Sequence, residues 1–516
     1  MTSSRRQFLA DVGKGMLAAS IGADLAIDMG FGSLQAKEGP NELTFGQLEP
    51  LVELLQETPP GKLLPILTER WKKGTDLKEL VAAAALANVR TFGGEDYVGF
   101  HTMMAMMPAY HMAKELPKDR SPLPVFKVLY RNTNRLQEKG GRKDEMLHPV
   151  SAGSASDGKI SAEALRDAVR RQDLKSAETM FAGIAQGSAE DAFNNLLYVV
   201  EDGTEVHRVV MAYRAWDLLD LVGKERAHTV LRQSVHYCVM SEKQPQYFME
   251  SRALLPKLLD QYHLADKKPG TRIPDDGWVD HMSQTLFKST PAQAADAAAA
   301  ALAEGIAPDA VGEAISLAAN QLVLRDNGRP QNQTSPGKPV GSVHGDGIGV
   351  HASDSANAWR NIARVSNARN TFACLILGAY QVARDRANRG GDFLNWEPYP
   401  RAEARAKVKE KDEATLLRET EEAIRAKEQA LACALVNAYG EMGYPPRPVF
   451  DLLLRYAISE DGALHAEKYY RTASMEFAAS RPSFRWRQLV ALARVTASEY
   501  GLPAPGYAEA SQLLKV

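Results

Sequence analysis

Cysteine is scarce in this chain: three in 516 residues, Cys238, Cys374 and Cys433, far apart and each inside an apolar stretch. That leaves no paired-thiolate metal knuckle, no haem-attachment motif and no disulfide framework, and the three read as buried thiols. Neither sign of charge is in surplus, with 62 basic against 64 acidic residues and a net charge of -2. A nucleic-acid partner, which leaves a basic footprint, is therefore not expected. Outside the first residues there is no apolar run long enough to span a bilayer, so no stable membrane span is expected either. Phosphate-cradling glycine loops, a dinucleotide fingerprint, a nucleophile elbow and the HExxH zinc motif are all missing, which removes nucleotide-driven, hydrolase-fold and zincin chemistry; no nucleotide cofactor is expected.

Alternating β-type runs are also scarce. What fills the chain instead is apolar residues at three-to-four spacing, as in "MAYRAWDLLDLVG" and "ATLLRETEEAIRAKEQALACALVNAYG", and the expected fold class is all-α. Four stretches share one plan of two helix-like segments, a Gly-bearing turn between them, an acidic or Gly-containing loop, and a His opening the next apolar helix. Gly74, Gly187, Gly305 and Gly440 stand where a C-terminal cap belongs, and Thr75, Ser188 and Pro308 where the following helix starts. The multi-helical chain is thus read as about four divergent helix-turn-helix-loop-His-helix units. Two fall in an N-terminal half, 37–264, and two in a C-terminal half, 265–516. One short unit, "ALAEGIAPDAVGEAISLAAN", looks like that of carboxymuconolactone decarboxylases, a likeness of helix packing that carries over no site residues.

The histidines of the four units are His101, His207, His351 and His465, and each has an acid five residues upstream: Asp96, Asp202, Asp346 and Glu460. Imidazole is the commonest protein metal ligand, and a nearby carboxylate serves as a further ligand or orients the ring. Four equivalent positions in one protein therefore point to a shared metal centre with these eight residues as its candidates. A long polar loop, 325–349, precedes His351 and adds His344 beside Asp346; this pair is the candidate catalytic set, on a loop suited to covering a substrate. A site rich in imidazole and without thiolate suits iron or copper, with zinc also compatible. The methionines Met103, Met104, Met106, Met107 and Met112 beside His101, and Glu225-x-x-His228 with His236, are weighed as core filler and as an incomplete di-iron motif respectively.

The N-terminus reads "SSRRQFLADVGKGMLAASIGADLA". Arg5 and Arg6 before Gln7, Phe8 and Leu9, followed by a modest apolar run, resemble a bacterial twin-arginine export signal. The resemblance implies a signal over 1–36, the twin-arginine export machinery as a partner, and a periplasmic or otherwise extracytoplasmic location. Combined, these readings describe an exported metalloenzyme acting on a small-molecule substrate, an oxidoreductase ahead of a zinc-type hydrolase or lyase. A non-catalytic helical protein that binds a ligand or partner is the rival. The two separate on geometry: ligation requires the four imidazoles to converge, and a scaffold would keep them apart.

Overall fold

The computed structural model describes residues 42–152, 161–345, 347–388 and 391–516. The twin-arginine stretch and Asp346 lie outside them. Every regular element among the described residues is a helix, with only three isolated bridges of β type, so the chain is an all-α, multi-helical protein. No helix among the described residues is long and apolar enough to cross a membrane.

Four sets of four consecutive helices carry the architecture. The first is α1 (Pro60–Lys72), α2 (Leu77–Phe92), α3 (Tyr97–Lys114) and α4 (Pro122–Glu138). The second is α5 (Leu174–Ile184), α6 (Ala189–Val200), α7 (Val206–Val222) and α8 (Ala227–Ser241). The third is α9 (Pro291–Ala303), α10 (Pro308–Arg325), α11 (Ile348–Val365) and α12 (Ala368–Asn388), and the fourth α13 (Gln429–Glu441), α14 (Arg447–Ser459), α15 (His465–Ala479) and α16 (Trp486–Glu499). Within every set the first helix packs on the fourth, the second on the third and fourth, and the third on the fourth. One continuous apolar core joins all four sets.

Local sequence explains the helix ends. Ser188 accepts a hydrogen bond from the Asp191 amide to start α6, and a capping box of Thr290 and Gln293, with Pro291 at the first position, starts α9. Small residues let the second helices sink into the core: from Leu80 to Phe92 every residue of α2 is buried. The expected turn glycines hold at Gly74 and Gly305, where φ is +106° and +84°. Asp76, one residue after Thr75, caps α2. Gly440 departs from expectation. It lies inside α13, where an added Cβ would stand 2.4 Å from the Trp486 ring, and the left-handed turn belongs to Gly443 at φ +75°. Both residues need glycine, one for close packing and the other for the turn.

The polar loop before α11 runs from 326 to 347 and has two characters. Its tip around 331–338 is exposed, while Ser342, Val343 and His344 are buried. The Val343 amide donates to Ser498 Oγ at 2.9 Å and the Gly345 amide to Glu499 Oε1 at 2.8 Å, which ties the end of the loop to α16.

Candidate metal centre

The third helix of each set is the one that opens with a histidine, and these four helices contact one another in a closed cycle of α3, α7, α11 and α15. Each histidine sits in the first turns of its helix, so four helix N-termini from four separate parts of the chain meet at one place. Beyond it the helices continue alongside one another. Thr472 Oγ1 donates to Asp354 Oδ1 at 2.8 Å between α15 and α11, and the Tyr213 hydroxyl reaches Met475 Sδ at 3.8 Å between α7 and α15.

The imidazoles converge. His207 Nε2 lies 3.2 Å from His101 Nε2, and His351 Nε2 lies 3.1 Å from His465 Nε2. Ring centres stand 4.8 Å apart for His101 and His207, 5.8 Å for His207 and His351, 5.1 Å for His351 and His465, and 5.1 Å for His465 and His101, which closes the circle. Three of the rings are buried, and His207 is partly exposed at the rim. Above that rim stands an aromatic wall. Tyr97, 61% exposed, lies 4.5 Å from the His101 ring, and Phe100 stacks on His101 at 4.9 Å and meets Tyr237 edge-on at 5.4 Å.

With Nε2 turned inward, the outer Nδ1 atoms of His101, His207 and His465 meet oxygen atoms. His101 Nδ1 donates to the Tyr97 carbonyl at 2.7 Å, and His465 Nδ1 stands 3.0 Å from the Ala463 carbonyl and 3.2 Å from that of Gly462. To deliver His465 as the first residue of α15, both Ala463 and Leu464 take left-handed φ values, +50° and +67°. Such backbone is costly for residues with a Cβ and tends to concentrate at functional sites. His207 Nδ1 lies 2.6 Å from Glu205 Oε1, and Glu205 Oε2 accepts from the Tyr237 hydroxyl at 2.7 Å and the Arg208 amide at 3.1 Å. Burial raises the Glu205 carboxyl, but His207 beside it and these donors outweigh that and bring it down to about 2. A carboxylate on the outer nitrogen fixes the tautomer and the ring plane, the usual support for a ligating histidine. Glu205→Gln should therefore weaken metal affinity by about 10- to 100-fold with the fold retained. A competition titration against a chromogenic chelator measures it, and an unchanged affinity would contradict the orienting role.

Three of the acids five residues upstream, Asp96, Asp202 and Glu460, do other work, and this corrects the expectation that they orient or supplement the imidazoles. Asp96 caps α3 through the Gly99 amide and holds Arg135 at 2.8 and 2.6 Å. Asp202 takes a fork of two 2.6 Å bonds from Arg170, and Glu460 Oε2 accepts the amides of Gly501 and Leu502 at 2.8 Å. The recurring offset reflects a recurring loop anchored by an acid. Asp346 lies outside the described residues. His344 is buried, with Nδ1 3.6 Å from Glu499. The neighbouring Gly345 is pressed so closely on His465 that an added Cβ would lie 2.3 Å from the His465 Cβ.

Two buried groups that sequence reading missed lie one helical turn past the histidines: Asp354, three residues after His351, and Lys468, three after His465. Residues at that spacing share a helix face. Burial raises the Asp354 carboxyl, and burial lowers the Lys468 ammonium to about 8. Burial, then Lys468, keeps His101 neutral down to about pH 2 and His465 well below its ordinary value. Neutral imidazole is the form that binds metal.

The methionines beside His101 are core filler: Met103, Met106, Met107 and Met112 are buried in the main core. Glu225 pairs with Arg226, so Glu225-x-x-His228 forms no metal motif. His236 instead bridges Glu95 at 2.9 Å and Glu178 at 2.7 Å. Burial opposes its charge, and the two carboxylates outweigh burial and raise it. A folded-state value above the ordinary one, near 6.5, gives stability that is complete below about pH 6.5 and lost as pH rises through the folded value. The melting-temperature gap between wild type and His236→Gln should thus narrow from about pH 6 to pH 9. A gap independent of pH would refute the charged bridge. Burial works the other way at His111 and His228, lowering them to about 3 and about 4. What they contribute is present above about pH 6.5 and declines as pH falls toward those values.

An open groove of about 670 Å³ between Trp71, Tyr110 and Lys114 shares no residue with the centre. No family model, curated protein or solved structure matches the chain. Fold and site together define its class as an all-helical protein with four imidazoles gathered at the meeting point of four helix N-termini.

Proposed function

We propose that His101, His207, His351 and His465 hold one transition-metal ion, and that the chain is a metalloenzyme acting on a small molecule, with oxidoreductase chemistry ahead of a zinc-type hydrolase or lyase. The observation that carries this reading is the meeting of two imidazole pairs, Nε2 to Nε2 at 3.2 and 3.1 Å, in one ring. A metal with bonds near 2.1 Å sets neighbouring ligand nitrogens about 3.0 to 3.4 Å apart, depending on geometry. Among the described residues no three donors already stand as a finished coordination set, so ligation requires the two pairs to close on the ion by ring rotation. An all-nitrogen set without thiolate suits copper or iron. The metal would supply a redox couple or a Lewis acid. The protein supplies four imidazoles, Glu205 as orienter, and an aromatic rim at Tyr97 as the approach from solvent.

The twin-arginine resemblance fits this reading, since that route carries proteins that are already folded, many of them with a cofactor inserted. We accordingly place the mature chain outside the cytoplasm. The four helix sets are read as divergent copies of one unit, supported by their common internal packing.

Elemental analysis of untagged protein prepared without chelator tests the proposal. Near-stoichiometric iron or copper supports it, and stoichiometric zinc favours the hydrolase or lyase branch. Protein that carries no metal, and whose melting temperature ignores added copper, iron and zinc, would return the four histidines to a structural role in a binding scaffold.

A further inference from the structure

Lys468 is 2% exposed, yet no hydrogen bond or ion pair to any described residue reaches its ammonium. Buried charges in proteins are almost always paired, because an unpaired one forfeits its hydration for nothing. The groups around it do not serve. On α11, Asp354 is nearest in electrostatic effect but stands beyond ion-pair reach and is engaged by Thr472 of α15. Glu467, next in sequence, is held by Lys127 at 2.7 Å. The α7 helix contributes a second cation, Arg214, which lies 3.4 Å from Asp217, and α3 contributes Met104 at the position equivalent to Lys468. The positive ends of four helix dipoles point to the same place, and burial keeps the imidazoles of His101 and His465 neutral. The electrostatic balance at the bundle side of the ring is therefore positive, with an ammonium free to donate.

We propose that the bundle-side face of the four-imidazole ring is a subsite for one small monoanion, held by the ammonium of Lys468. This deepens the metal reading by naming the class of ligand that reaches the inner open position of the ion: a compact anion, or an oxygen ligand carrying negative charge. Lys468 donates to it, and the negative charge of Asp354 nearby limits the charge it carries.

Azide is the probe, titrated by calorimetry into wild type, Lys468→Met and Asp354→Asn, each metal-loaded and chelator-stripped, with the metal content of every sample measured. Wild type should bind one azide per chain. Lys468→Met should weaken that binding tenfold or more at unchanged metal content, and Asp354→Asn should tighten it several-fold by removing a competing negative charge. Wild-type affinity in Lys468→Met, or no azide binding by wild type in either form, overturns the subsite. Should Lys468→Met fail to fold, Asp354→Asn decides alone, and weaker or unchanged binding there overturns it. The two readings fail separately. Lys468-dependent azide binding by a protein that takes up no metal would remove the metal and leave the subsite, whereas metal uptake with azide binding indifferent to Lys468 would do the reverse.

Discussion

His351→Ala should lower the metal bound per chain by more than about tenfold, a loss at least as large as those seen when a supporting residue of a metal site is removed. His351 is buried and meets His465 nitrogen to nitrogen at 3.1 Å. Its removal breaks one imidazole pair and leaves three donors around a space that water would have to fill. His207→Ala should act alike, since it breaks the other pair. The control is His263, an exposed residue at φ +51° outside the centre, whose replacement by Ala should leave the metal content at the wild-type level. Metal per chain, measured by mass spectrometry on dialysed protein alongside circular dichroism for the fold, reads the result. Equal retention in all three variants would sink the shared centre.

The second large effect concerns stability. Lys127→Met should cost about 3–5 kcal/mol of unfolding free energy, the usual cost of removing one partner of a buried ion pair. Lys127 on α4 is 3% exposed and lies 2.7 Å from Glu467, which is wholly buried; it also donates to the carbonyls of Ala457 at 2.9 Å and Glu460 at 2.7 Å. Its loss strands a carboxylate in the interior and frees two carbonyls at the end of α14. Replacing Glu467 by Met as well should return much of the loss, because the stranded charge goes with it. Denaturant unfolding of the singles and the double closes this cycle. A single variant within about 1 kcal/mol of wild type would refute the account. Because the interaction holds the loop that delivers His465, metal affinity should fall with stability in Lys127→Met.

The histidines were legible because the same local context surrounds each of them, and the context is physical: a helix ends, a short loop turns the chain, and the next helix begins with the ring facing its neighbours. Three of the upstream acids, Asp96, Asp202 and Glu460, were misread for a related reason. Their constant offset is set by the loop they anchor, and an offset says nothing about which way a carboxylate faces across a turn. Asp202 turns to Arg170, and the carboxylate that does meet an imidazole, Glu205 on His207, appears in one unit alone, where no recurrence could flag it. At His101 and His465 backbone carbonyls take its place, and a carbonyl leaves no mark in a sequence. Lys468 and Asp354 carried a weak signal as charged residues at the position three after a histidine in apolar helices. Position on a helix face alone does not tell a paired buried charge from an unpaired one. The third copy's turn was legible at Gly305 and the fourth's was not, since Gly440 and Gly443 are both demanded, by a tryptophan ring and by a turn.

The distribution of the four histidines along the chain has a consequence for unfolding. His101 and His207 are 106 residues apart and His351 and His465 are 114 apart, so an ion gripped by all four ties together remote stretches of polypeptide as a set of disulfides would. Cross-links that enclose loops of that length remove much conformational freedom from the denatured ensemble. A chain with three cysteines and no disulfide among its described residues would thereby gain, from one ion, a reversible clasp. It can close only after the last quarter of the polypeptide has been made, and its release by a chelator would loosen all four quarters at once.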